Sequence, residues 1–215
     1  MIKKKQTIEI LFIIGTFAFS ALFILLLFIA KYPEWWKWIV YEQVPLTWLE
    51  SSLLLGSSFF AFICFLFTFL NKDRNFIWWT LLSAGFFALS FDERFAVHER
   101  IRDSFLAPHG VRVPFVSWIS PGDFLLLFAM IIGLAMLYKI IKLFKYRKTV
   151  LILFISGVIL ASIAIIMDSI DIHDYSVSFQ RVEQFIEEIF ETAAMLFFMN
   201  SFFLCTLDMI YKEEN

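Results

Sequence analysis

Long apolar runs alternate along this chain with short polar breaks. A run of roughly 20 apolar residues is what a helix needs to cross about 30 Å of hydrocarbon. Such runs fall at about 8–30, 46–70, 76–98, 122–144, 150–172 and 184–210. The pattern predicts an all-α fold: a polytopic membrane protein with a six-transmembrane-helix bundle, residues 1–215 forming a single integral-membrane domain. Between the first two runs, KYPEWWKWIVYEQVP is too polar to span, and its tryptophans predict a short helix lying in the interface. The first run follows Lys3, Lys4 and Lys5 but is longer than the ~7–15 residues of a signal-peptide core, and more spans follow it, so it is expected to be retained.

Composition agrees. The chain is 60% hydrophobic and 20% aromatic, with 29 Phe among 215 residues. A soluble domain of this size cannot hide so much apolar surface, so lipid is the expected solvent. All seven Trp fall at or near predicted span ends, as in an aromatic belt. Cys64 and Cys205 lie inside apolar runs without CxxC spacing and read as small buried hydrophobes. There is no repeat, no soluble domain and no GxGxxG. The expected partners are the bilayer and a lipid-like substrate, with no nucleic acid.

The net charge of −2 says little, but its distribution orients the chain. With the N-terminus in the cytoplasm, eleven of the 18 Lys and Arg lie on the inner side, in the terminal segments and the short loops near 71–75 and 139–148. Fifteen of the 20 Asp and Glu then lie outside. The positive-inside rule places both termini in the cytoplasm, and the expected location is the inner (plasma) membrane.

The acids of the outer side converge. Glu50, followed by Ser51 and Ser52, opens the second span. FDERFAVHERIR (Phe91–Arg102) closes the third with Asp92, Glu93, Arg94, His98 and Glu99. Asp123 opens the fourth, Asp168, Asp171 and His173 close the fifth, and Glu183, Glu187, Glu188 and Glu191 begin the sixth. Ionisable groups at membrane depth are costly and mark function or pairing. At ~100° per residue a continuous helix puts Asp92 and Glu99 on nearly one azimuth and Asp168 and Asp171 on one face. Carboxylates forced together must protonate, pair with Arg, or bind a cation. Asp123 reads more readily as a helix cap, Glu183 as a dipole partner and His109 as a loop residue.

An oxygen-rich set with one or two imidazoles and no thiolate suits a divalent metal ion, iron, zinc or manganese, one or two in number. The expected metal ligands are Glu50, Asp92, Glu93, His98, Asp168, His173, Glu187, Glu188 and Glu191, with Glu99, Ser51 and Arg94 as catalytic candidates. Two chemistries fit: a metal-dependent membrane hydrolase, and a di-metal oxidoreductase lacking the usual paired Glu-x-x-His. The spacing Glu93 to His98 separates those two residues on a helix unless it breaks there. The alternatives are a cation- or proton-coupled transporter, for which Asn200, Ser201 and Asp208 would continue the polar path, and a structural or sensor subunit.

DERFAVHE (Asp92–Glu99) and EEIFETAAMLFF (Glu187–Phe198) resemble a group of uncharacterised bacterial multi-pass membrane proteins carrying DExxxxHE and EExxE elements. The resemblance covers spans three to six and implies Asp92, Glu93, His98, Glu99, Glu187, Glu188 and Glu191 as site positions, without an activity. Glu50 and its serines are distantly similar to alkaline-ceramidase-type membrane hydrolases, whose closing His-x-x-x-His is absent here.

Overall fold

The computed structural model describes residues 2–41, 43–111, 119, 124–144, 147–170, 172 and 175–213. Among them the chain is all-helical: α1 (Ile2–Ala30), α2 (Pro45–Leu70), α3 (Phe76–Phe95), α4 (Val97–Ile101), α5 (Phe124–Phe144), α6 (Lys148–Asp168) and α7 (Val177–Glu213). The only β pairing among them is one isolated bridge, Ile119 to Ile170. Five helices, α1, α2, α5, α6 and α7, are long and apolar enough to cross a membrane. α3 has 20 residues but is diluted by two Trp, Ser, Thr, Gly and its closing acids. The tryptophan-rich segment holds a single 3-10 turn, Trp35–Trp38.

Local chemistry sets the ends. Pro45 sits in the first turn of α2, where its missing N–H costs nothing. Between α2 and α3, Asp73 Oδ1 accepts from the Asn75 N–H at 3.0 Å, and Lys72 takes the left-handed conformation that reverses the chain. The α2–α3 pair is then stapled by two reciprocal serine rungs. Ser51 Oγ donates to Ser90 O (3.0 Å) while Ser90 Oγ donates to Ser51 O (2.8 Å). Ser58 and Ser83 repeat the exchange at 2.8 and 3.1 Å. In lipid, apolar contact alone gives helices little reason to associate, so such bonds and close packing take over.

α7 is the hub, packed along α2 and α6 and touching α1; α5 lies against α6. Gly157 allows the α6–α7 approach: a Cβ there would meet the Phe198 ring at 2.9 Å. Below that ring lies a bank of aromatics in mostly edge-to-face geometry. Phe86 meets Phe198 and Phe202 at 5.1 Å each, Phe154 meets Phe198 at 5.6 Å, and Trp79 meets Phe144 at 5.7 Å. Trp79 is therefore not part of an aromatic belt. It is 2% exposed and faces the bundle core.

The polar residues of the lower half serve packing. Asn200 Nδ2 donates to Thr16 Oγ1 (3.0 Å) and Leu196 O (2.8 Å), Ser201 Oγ to Val150 O (3.1 Å), and Thr206 Oγ1 to Phe60 O (3.2 Å). Asp208 belongs to a charge quartet. Arg147, just before α6, reaches Glu9 of α1 at 2.6 Å and Asp208 of α7 at 2.7 Å, and Lys5 pairs with Asp208. Burial works against the Arg147 charge, but the bonds and charges of Asp208 and Glu9 outweigh it and raise its pKa.

Candidate carboxylate and histidine site

At the other end of α7, a cavity of about 130 Å3 opens among α2, α3, α4, α5, α6 and α7. Its polar wall is Asp92, Glu93, His98, Asp168, Glu187, Glu188 and Glu191; its apolar wall includes Leu54, Leu89, Leu126 and Ile165, and Phe86 and Phe198 are also part of its lining. Beside it, oxygens of Glu50, Glu188 and Glu191 all lie within 4.8 Å of one another. Glu50 is fully buried, and its Oε1 accepts from Thr192 Oγ1 at 2.6 Å. The three glutamates come from α2 and α7, helices whose packing is set well below the site. The geometry is thus a consequence of the bundle rather than of a loop.

The histidine arrives by a break. α3 ends at Phe95, Ala96 takes φ 46° and ψ 50°, and α4 restarts at Val97. A left-handed alanine is unusual and costs roughly 1–2 kcal/mol. What it achieves is a return of the chain onto Asp92. The His98 N–H donates to Asp92 Oδ1 at 2.7 Å, and His98 Nδ1–H donates to Oδ2 at 2.7 Å. One carboxylate satisfies the start of α4 and fixes the imidazole, leaving Nε2 as the ring nitrogen with no bond to Asp92. Burial lowers the His98 pKa, but the Asp92 bond and charge, with Asp168 and Glu99, more than compensate, and the pKa stands above the ordinary value.

The break also redistributes the sequence-predicted residues. Glu99 is not among the residues that line the cavity with Asp92; it pairs with Arg102 at 2.9 Å. Arg94 is exposed and is not among the lining residues. Ser51 is committed to the α2–α3 rung, and Ser52 donates to Trp48 O at 2.7 Å. His109 donates from Nδ1 to Phe105 O at 2.6 Å in its turn. His173, Asp171 and Asp123 lie outside the described residues. Sequence reasoning missed Thr192, the partner of Glu50; its only signal is its place directly after Glu191.

Residues 9–206 match the family described as "Domain of unknown function (DUF8692)", and the chain belongs to that family. No curated protein matches the chain. No solved structure matches it. The family match is to an uncharacterised family and bears on neither the two motifs nor the ceramidase likeness.

Proposed function

We propose that the chain is an inner-membrane protein with six spans, α3 being the sixth, and both termini in the cytoplasm. Its outer-leaflet site holds one or two divalent cations of the iron, zinc or manganese class and acts on a lipid or another membrane-resident small molecule. The observation that carries this reading is the meeting of Glu50, Glu188 and Glu191 within 4.8 Å beside a cavity lined with further acids and one imidazole. Three carboxylates so close need protons, a basic partner or a bound cation, and this donor set suits hard or borderline metals.

Depth supports it. From Glu191 to Asp208 is 17 residues of one helix, about 26 Å at 1.5 Å per residue, close to the hydrocarbon thickness. The acids then sit near one membrane boundary and the Arg147 quartet near the other. A bound cation would polarise a substrate oxygen and lower the pKa of a water. The protein's own part is to hold that cation on Glu50, Glu188 and Glu191, to present His98 Nε2 in a fixed ring orientation set by Asp92, and to exclude water with the phenylalanine floor.

That floor weighs against transport. Phe86, Phe198 and Phe202 close the way down from the cavity, and Asn200, Ser201 and Asp208 are occupied by interhelical bonds. Elemental analysis of the purified protein beside Glu191→Gln tests the proposal. One or two equivalents of transition metal, lost in the variant, are expected. A metal-free wild type purified without chelators from metal-replete cells overturns it.

A further inference from the structure

Away from the acids, α1 and α7 are joined at two levels. Below, the Asn200–Thr16 bond (3.0 Å) and the Phe17–Phe197 ring pair (5.3 Å) close them together. Above, Trp35 bridges them, stacked on Phe28 at 5.6 Å and edge-on to Phe185 at 5.3 Å. Between these closures lies a groove of about 530 Å3, a volume ordinary for a small-molecule site. From Phe17 to Phe28 is 11 residues of α1, about 16 Å at 1.5 Å per residue and roughly half the hydrocarbon thickness. Ala21 and Leu25 line the groove and are exposed, so it opens sideways along α1.

The groove holds one unanswered polar atom. Ser20 lines it and is 2% exposed, and its Oγ has no hydrogen-bond partner among the described residues. Other hydroxyls inside these helices return to the carbonyl four residues back: Ser57 to Leu53 O at 2.9 Å, Thr68 to Cys64 O at 2.9 Å and Ser162 to Val158 O at 2.8 Å. Ser20 does not, and a buried hydroxyl left unsatisfied is destabilising. Water answers it poorly, because a buried water needs about two to four polar partners. The other polar side chain of the lining, Thr192, gives its proton to Glu50 Oε1. The lining holds no charged residue, so a charged head would lose its hydration and find no counter-ion. A helix, about 10 Å across, does not fit between walls that meet at both ends. An apolar chain with one neutral oxygen does.

We propose that this groove is a lipid site, taking one hydrocarbon chain of a neutral lipid whose uncharged oxygen, carbonyl or hydroxyl, accepts the Ser20 O–H. The chain lies along Ile24, Leu25 and Phe28 of α1, against Ile189 and Ala193 of α7. Because no acid takes part, the site stands whether or not the glutamates hold a metal. Thr192 belongs to both places, lining the groove and bonding Glu50, so the occupant sits one hydrogen bond from the glutamate cluster.

The test incubates the intact chain in micelles with equimolar oleyl alcohol, methyl oleate and octadecene, separates it by gel filtration, and measures co-eluting probe by gas chromatography. The alcohol and the ester are expected to exceed the alkene about fivefold, as one hydrogen bond supplies. Ser20→Ala is expected to bring both down to the alkene's level. In probe-free protein it should keep or raise the unfolding midpoint, since it removes an unsatisfied hydroxyl. Ala21→Phe, at an exposed position, and Ala193→Phe obstruct the groove from its two walls and are expected to lower retention of all three probes severalfold. Equal retention of the three by wild type, or a preference that survives Ser20→Ala, overturns the role of the oxygen. A midpoint that drops in Ser20→Ala gives the hydroxyl a protein partner and overturns it too. Retention untouched by both Ala21→Phe and Ala193→Phe overturns the groove. A dimer split by either substitution assigns the groove to a second copy and overturns the lipid.

Discussion

The two charged regions of α7 are built on opposite rules. Near its C-terminal end, Lys5, Glu9, Arg147 and Asp208 form a neutral quartet from three parts of the chain, each charge beside its opposite. Toward its other end, Glu50, Glu188 and Glu191 bring like charges within 4.8 Å. The first arrangement lowers the energy of the fold as it stands. The second raises it unless protons, a basic partner or a bound ion balance the charges. On the proposed reading the first cluster fastens and the second binds, and substitution separates them.

The largest effect is expected at the quartet. Arg147→Met leaves Lys5 alone to balance Glu9 and Asp208; loss of one partner of a buried pair costs about 3–5 kcal/mol, and the remaining Lys5 and partial exposure bring the expectation to the low end of that range or below. Denaturant titration in micelles reads it, and the double change Arg147→Met with Asp208→Asn is expected to recover part of the loss. The matching neutralisation at the other cluster, Glu188→Gln in the presence of chelator, is expected to leave stability unchanged or raise it by about 1 kcal/mol through relief of like-charge repulsion. A loss there as large as at Arg147 would erase the distinction.

Acidity sharpens the same contrast. The folded His98 pKa is raised, so its pair with Asp92 contributes fully below about pH 6.5, the unfolded histidine value, and that contribution fades as pH rises through the higher folded value. An unfolding free energy that falls in wild type as pH rises above about 6.5 should flatten in His98→Ala. Arg147 keeps its charge throughout that range and should give no slope. The smallest effect is expected at the serine rungs: Ser58→Ala with Ser83→Ala should cost about 1 kcal/mol, read by the same unfolding, because interhelical bonds of this kind are worth roughly 0.6 kcal/mol each.

Hydropathy made the helices legible. The apolar runs near 8–30, 46–70, 122–144, 150–172 and 184–210 correspond to α1, α2, α5, α6 and α7, and the ends differ by a few residues where polar turns continue a helix beyond its apolar stretch. The gathering of Glu50, Glu188 and Glu191 was visible as a shared level along several spans. The break at Ala96 was not visible, because neither Gly nor Pro marks it and alanine favours the continuous helix. It is imposed by the capping of α4 by Asp92, a contact that exists only in three dimensions. The roles of Ser51 and Trp79 were hidden for a related reason. Both sit at positions where a site or an interface was plausible, and only the α2–α3 and α3–α7 packing shows that their partners are Ser90 and the core aromatics. The quartet was half visible: its members lay on one side of the sequence map, but their pairing depends on α1, α6 and α7 meeting.

The serine rungs also constrain how this chain can change in length. Ser51 and Ser58 are seven positions apart, as are Ser83 and Ser90, so both rungs recur after about two helical turns. One residue inserted between Ser51 and Ser58 would rotate everything beyond it by ~100° and pull Glu50 out of step with Ser90 and α7. The same insertion in the turn at 71–75 would leave both rungs intact. Length in this hairpin is free at its tip and quantised along its shaft.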